Sequence, residues 1–196
     1  MPNTSTFTSS SHPSGQLYYV MGASGVGKDT LLRYARQRLA NAPVVFAHRY
    51  ITRPPELKGE NHIHLEDAEF ANRLQRGCFK FHWCSHGWQY AVGVEVDVWL
   101  SMGLNVLMNG SRAYLDQACA LHPGLVPVLI SASPEILRQR LQQRGRESDQ
   151  EIEERLSAAK AYAALAERPD VQVIANEGTV AVAGERLVQL FKQLGG

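Results

Sequence analysis

The stretch Gln16-Leu-Tyr-Tyr-Val-Met-Gly-Ala-Ser-Gly-Val-Gly-Lys-Asp-Thr30 decides the fold of this chain. Its first six residues are mostly apolar and β-prone, and they run straight into glycines, as a buried strand does at its end. Residues 28–40 then place Leu31, Leu32, Ala35 and Leu39 on one helical stripe. The segment between them, Gly22-Ala-Ser-Gly-Val-Gly-Lys28, fits G-x-x-x-x-G-K in the strand-then-helix setting that separates a phosphate-binding loop from a chance match. Glycines let the backbone wrap with its N–H groups inward, and the helix N-terminus adds positive potential. A lysine at this place reaches the β- and γ-phosphates of a nucleoside triphosphate. The predicted triphosphate seat is therefore Gly22, Ala23, Ser24, Gly25, Val26, Gly27, Lys28, Asp29 and Thr30.

One residue departs from the motif. The position after the lysine normally carries Ser or Thr, whose hydroxyl ligates Mg²⁺, and here it is Asp29. The usual acidic partner ends a later apolar strand, yet Leu104-Asn-Val-Leu-Met108 runs into Asn109-Gly-Ser111. A carboxylate is an equally hard oxygen ligand for Mg²⁺. Asp29 is thus predicted to anchor the metal, directly or through water, in place of the missing strand-end acid. The alternative is that Asp29 only caps its helix, with Thr30 or water serving the ion.

Outward from the loop, short apolar runs (Val44–Ala47, Leu104–Met108, Leu125–Ile130, Val171–Ala175) alternate with helical stretches at 67–76, 94–102, 112–121, 133–144, 149–167 and 180–194. Ser133 before Pro134, and Ser148 with Glu151 three residues on, are helix-start signals. This alternation predicts an α/β fold with a mainly parallel sheet covered on both faces. Two stretches break the rhythm. Residues 48–93, rich in His, aromatics and Gly, read as an inserted subdomain with β-like pieces at Phe79–Trp83 and Gln89–Gly93; residues 138–155 are crowded with arginines.

Composition narrows the function classes. A chain of 196 residues with 44% hydrophobic and 20% charged residues suits one soluble globular domain over 16–196. Lys+Arg 20 against Asp+Glu 19 argues against a broad basic surface, hence against nucleic acid as partner. Three cysteines (Cys78, Cys84, Cys119) without a CxxC pair indicate neither a disulfide framework nor a zinc finger, and point to the cytoplasm. No apolar run approaches the ~20 residues that span a bilayer, so no membrane partner is expected. Residues 1–15, Ser/Thr-rich without a basic start or apolar core, are predicted to be a disordered tail rather than a signal peptide.

The chain from residue 16 to 194 resembles the guanylate-kinase-like branch of P-loop kinases. The resemblance is carried by the phosphate loop, Tyr50-Ile-Thr-Arg53-Pro-Pro, Gly59-Glu60, the aromatic segment His82-Trp83 to Tyr90, and Leu137-Arg-Gln-Arg140 through Arg155-Leu-Ser-Ala-Ala. It implies a P-loop NTPase core, an acceptor-binding insert at about 48–93 and a mobile arginine-rich lid at about 138–155. Guanylate kinases read guanine with carboxylates at two places that His82 and Asn109 match here. Losing both acceptors leaves guanine's N–H donors unpaired, at roughly 1–3 kcal/mol per buried group.

A closer resemblance, to the ribose 1,5-bisphosphate phosphokinase family, lies in Gly27-Lys-Asp29, His48-Arg-Tyr-Ile-Thr-Arg53, Gly59-Glu-Asn-His62, Gly93-Val-Glu-Val-Asp97 and Asn109-Gly-Ser-Arg112. It implies transfer of the ATP γ-phosphoryl group to a small sugar bisphosphate, giving 5-phosphoribosyl 1-diphosphate (PRPP) and ADP with Mg²⁺ as cofactor, and a place in phosphonate breakdown. It makes Lys28, Arg140, Arg144 and Arg146 the expected catalytic residues, and Arg49, Tyr50, Arg53, Glu60, Tyr90, Asn109, Arg112 and Arg155 the expected acceptor contacts. The competing readings are a guanylate-type nucleoside monophosphate kinase and a non-catalytic guanylate-kinase-like interaction module. An intact Gly27-Lys28 and the lid arginines speak against the module. The oligomeric state is not indicated.

Overall fold

The computed structural model describes residues 14–54, 62–145 and 147–193. A five-stranded, all-parallel sheet forms the centre, in the order β2 (Val44–Phe46), β7 (Asn105–Asn109), β1 (Leu17–Met21), β8 (Val126–Ser131), β9 (Gln172–Ala175). β1 lies in the middle and is buried on both faces, which explains its unbroken apolar run. Alternate residues serve opposite layers. Leu17, Tyr19 and Met21 join Met108 and Leu129 on one face, while Tyr18 and Val20 meet Leu31, Ala35, Leu187 and Phe191 on the other. The second layer is built by α1 (Lys28–Arg38) and α8 (Val180–Gln193), and Tyr18 meets Phe191 edge-on at 4.8 Å. Each such side chain contributes about 1.5–3 kcal/mol on burial.

The segment expected to be an insert carries its own four-stranded sheet, ordered β4 (His62–His64), β3 (Arg49–Ile51), β6 (Trp88–Gly93), β5 (Phe79–Ser85). Helix α2 (Asp67–Gln75) packs Phe70 against Phe79 beneath it, and α3 (Glu95–Ser101) leads back to β7. The two three-residue strands, β3 and β4, were not expected from the sequence. A run that short shows no alternation, and its partner strand supplies the order.

On the other side of the phosphate loop stand α5 (Pro134–Arg144) and α6 (Asp149–Lys160), clamped by Leu137, Leu141, Ile152 and Leu156. Both predicted starts are present. The Ser133 side chain accepts from Ile136 N–H, and Ser148 with Glu151 forms a full capping box. The helix predicted over 149–167 is broken: Ala161 and Tyr162 N–H donate to Ala158 and Ala159 carbonyls, a 3₁₀ closure, before α7 (Ala163–Ala166). The break lets the Tyr162 ring turn toward the core. A 3₁₀ turn (Arg112–Tyr114) and α4 (Leu115–Leu121) complete the chain between β7 and β8.

Of the predicted tail, residues up to 13 lie outside the described residues; Gly15 N–H already donates to Leu100 carbonyl at 2.8 Å. Among the described residues no helix is long and apolar enough to cross a membrane.

Candidate active site

The loop after β1 reaches α1 through Gly27, which is left-handed at φ +90°. A Cβ there would sit 2.6 Å from Asn176 Nδ2. Asn176, just past β9 and buried, donates from that Nδ2 to Val26 carbonyl at 2.8 Å, so the last strand of the sheet pins the loop from outside. Arg140 on α5 donates to the same carbonyl at 3.1 Å.

Lys28 opens α1. Its Nζ donates to Asn109 Oδ1 at 2.7 Å and lies 3.2 Å from Asp29 Oδ1. Asn109 ends β7, beside Val20 of β1 in the parallel register, and so reaches the lysine from the neighbouring strand. The turn beyond it is fixed by Tyr19, whose hydroxyl donates to Ser111 carbonyl at 2.8 Å and accepts from Ser111 N–H at 2.9 Å. A Cβ on Gly110 would lie 2.0 Å from that ring, so only glycine fits between Asn109 and Ser111. Burial holds the Tyr19 hydroxyl well above the ordinary phenol range, which keeps it a neutral donor.

These groups face a cleft of about 1070 Å³ bounded by the phosphate loop, the second sheet and the α5–α6 pair. The cleft gathers most of the predicted residues: the loop except Val26, whose side chain is buried in the core, with Lys28, Asp29, Thr30, Arg49, Arg53, Tyr90, Asn109, Arg140, Arg144 and Arg155. From the second sheet Arg49 lies over the Tyr90 ring at 5.5 Å, and Tyr90 stacks on Trp83 at 5.7 Å. Glu60 and Arg146 lie outside the described residues.

Two predicted acceptor residues, Tyr50 and Arg112, stand elsewhere, and a third, Arg155, lines the cleft from the phosphate-loop side. Tyr50 follows Arg49 on β3, so alternation turns it to the far face, where it meets Phe79 and Arg73 and sets its hydroxyl 3.5 Å from Glu95 Oε1. Arg112 is exposed on its 3₁₀ turn and reaches only the rim, stacked 5.5 Å over Tyr162. Arg155 projects from α6 onto the loop itself, donating to Ser24 Oγ, with Glu147 Oε1 3.4 Å from its other nitrogen. His82, matched to a base-reading carboxylate, is likewise exposed on β5 between inward-facing Phe81 and Trp83.

Other lining residues were missed. Arg33, one turn along α1 from Asp29, was readable from the i,i+4 spacing. Asn176 and Glu147 carried no motif; each presents a buried side-chain oxygen with no hydrogen-bond partner. His62, His86 and Ser85 complete the wall contributed by the second sheet, and among the described residues that wall holds no carboxylate.

The positive-φ loop and Lys28 suit a triphosphate. Asp29 is half exposed in the cleft, and among the described residues no group of three acidic, His or Cys side chains surrounds a cation site. One carboxylate beside phosphate oxygens fits Mg²⁺, which keeps several waters and seldom occupies an all-protein cage.

The chain is 61% identical to ribose 1,5-bisphosphate phosphokinase PhnN of Psychromonas ingrahamii over 178 residues, covering 91% of this chain and 90% of that one. The chain belongs to the ribose 1,5-bisphosphate phosphokinase family. Relatives of the same name in Thiobacillus denitrificans (53% identical, 90% of this chain, 93% of that one) and Desulfomicrobium baculatum (51%, 90% and 94%) agree. No protein-family model matches the chain. Among solved structures, a guanylate kinase from Anaplasma phagocytophilum shares the fold at TM-score 0.70 and 19% identity, over 93% of this chain and 87% of that one. A gluconokinase from Sinorhizobium meliloti follows at TM-score 0.51 and 16% identity, over 94% and 95%. Within the phosphokinase family, the sequence expectation of a P-loop kinase with a parallel sheet is met.

Proposed function

We propose that the protein transfers the γ-phosphoryl group of MgATP to the 1-phosphate of ribose 1,5-bisphosphate, yielding PRPP and ADP. The observation that supports the reading, beside family membership, is that Arg49 and Arg53 of the second sheet line the same cleft as the phosphate loop and Lys28. Two guanidinium groups across from a triphosphate seat suit an acceptor that is itself rich in phosphate.

The loop amides and Lys28 hold the triphosphate, with Asp29 as the protein's oxygen ligand to Mg²⁺. When bound, the ion would supply positive charge that neutralises the triphosphate. Arg49, Arg53 and Tyr90 orient the acceptor, the two guanidinium groups gripping phosphate oxygens; Glu60 and Asn109 serve its hydroxyls. An oxygen of the 1-phosphate attacks the γ-phosphorus as the bond to the β–γ bridging oxygen breaks and ADP leaves. The attacking oxygen is already ionised, so no general base is needed and catalysis is positioning plus electrostatics. Arg140 and Arg144, with Arg155 on their side of the cleft, and Arg146 neutralise charge on the group in flight and exclude water, which would otherwise hydrolyse ATP. The insert at about 48–93 is the acceptor domain and 138–155 the lid. The reaction belongs in the cytoplasm, where ATP is at hand and the free thiols Cys78, Cys84 and Cys119 stay reduced.

Coupled ADP-release assays with ribose 1,5-bisphosphate and GMP side by side test this. The proposal expects turnover with the sugar and none above background with GMP; the reverse order refutes it.

A further inference from the structure

Beside the main cleft, α1 and the β2 edge of the parallel sheet enclose a smaller cavity of about 180 Å³ that shares Asp29, Arg33, Arg49 and Asn109 with it. Its outer end is closed by Arg36, and its floor is apolar. Asp29, Arg33 and Arg36 recur at i, i+4 and i+7, so one face of α1 carries them as a ladder leading away from Lys28.

The partners along this helix separate two kinds of arginine. Arg38 donates to Glu185 Oε1 at 2.7 Å, an ordinary surface pair that also complements the helix dipole. Arg33 has no hydrogen bond or ion pair among the described residues, and the carboxylate one turn before it, Asp29, turns to Lys28 instead. Arg36 lies over the Phe46 ring at 5.1 Å, a cation–π contact that leaves its N–H donors uncommitted among the described residues. Two cations thus line a recess that opens into the cleft, with no countercharge bound to them among the described residues.

We infer that Arg33 and Arg36 form a second anion subsite that receives the phosphate of the acceptor that does not react, the 5-phosphate of ribose 1,5-bisphosphate. The inference rests on the function proposed above. From Asp29 to Arg33 the helix climbs ~6 Å and to Arg36 ~10 Å, at 1.5 Å per residue. The two phosphates of the acceptor are held apart by a furanose ring and one methylene. An acceptor whose 1-phosphate lies at the mouth of the phosphate loop therefore reaches this recess with its other end. Free phosphate has the same chemistry as that end, and the experiment separates the two.

The test compares wild type, Arg33→Ala, Arg33→Lys and Arg36→Ala with ribose 1,5-bisphosphate and ribose 1-phosphate as acceptors. Both side chains are exposed, so the variants fold. The expected result is a loss of about 10- to 100-fold in the preference (kcat/KM ratio) for the bisphosphate in each alanine variant, the range for a charge-assisted hydrogen bond. KM for ATP stays put, and Arg33→Lys recovers part of the preference. An unchanged ratio in active variants overturns the subsite and leaves the proposed function standing; a wild type inactive on the bisphosphate overturns both. Inorganic phosphate is the second arm. Competition against the bisphosphate, weakened by Arg33→Ala, supports the subsite. Phosphate that instead changes kcat at saturating bisphosphate, with the effect lost in Arg33→Ala, marks a site for a free anion and overturns the assignment to the acceptor.

Discussion

Lys28 Nζ rests 2.7 Å from Asn109 Oδ1, so the phosphate-loop lysine is tethered by an amide from the neighbouring strand. A neutral acceptor holds the ammonium in place without cancelling its charge. Asn109→Asp turns the tether, already charge-assisted on the lysine side, into an ion pair. Releasing the lysine to a triphosphate then costs about 1.4 kcal/mol more, and KM for ATP rises about 10-fold. Titrating ATP at saturating acceptor checks this; an unchanged KM contradicts the tether.

Asp29 supplies the oxygen that Ser or Thr supplies in most loops of this kind. Asp29→Ser is expected to raise the Mg²⁺ concentration for half-maximal rate by about 10- to 100-fold, the usual cost of losing a metal-site partner. Rates measured across a Mg²⁺ series at fixed ATP decide it. Undiminished turnover with an unmoved Mg²⁺ curve assigns Asp29 to helix capping alone.

The α5–α6 pair carries a pH signature. Arg138 donates to Glu153 across the two helices, and the Ser148 N–H and hydroxyl donate to Glu151. Both carboxyls are held below the usual 4.5, Glu153 by its bond to Arg138 and Glu151 by its bonds to Ser148. A depressed folded-state value means that the stabilisation is complete above the unfolded value and is lost as pH falls through the folded one. Proteolysis within 138–155 should therefore accelerate as pH falls below about 4.5. Glu153→Gln should cleave faster already at neutral pH and show a smaller further increase in acid. Equal pH dependence in wild type and variant contradicts the assignment.

The sequence disclosed those features that depend on neighbours along the chain. The phosphate loop, the buried run of β1, Ser133 before Pro134 and the Ser148–Glu151 box were all readable because spacing alone specifies them. What escaped depends on partners distant in sequence. Tyr50 and Arg49 are adjacent, yet β3 sends them to opposite faces, and its three residues show no pattern. Arg155 reaches Ser24 of the phosphate loop because α6 packs on α5, a placement that no spacing along the chain specifies. Asn176 acts on Val26 from 150 positions away. The Asn109-Gly-Ser111 run was visible, but its reason, a Tyr19 ring filling the space of a Gly110 side chain, was not.

The central claim is that the γ-phosphoryl group of ATP comes to rest on the anomeric phosphate of a sugar that carries a second phosphate. Phosphorus NMR of a reaction with ATP labelled by ¹⁸O in its γ-phosphoryl group reads this directly. The account predicts an isotope-shifted outer phosphorus in a new anomeric diphosphate, with the 5-phosphate resonance unmoved. Label found only in inorganic phosphate, or on the 5-phosphate, contradicts it.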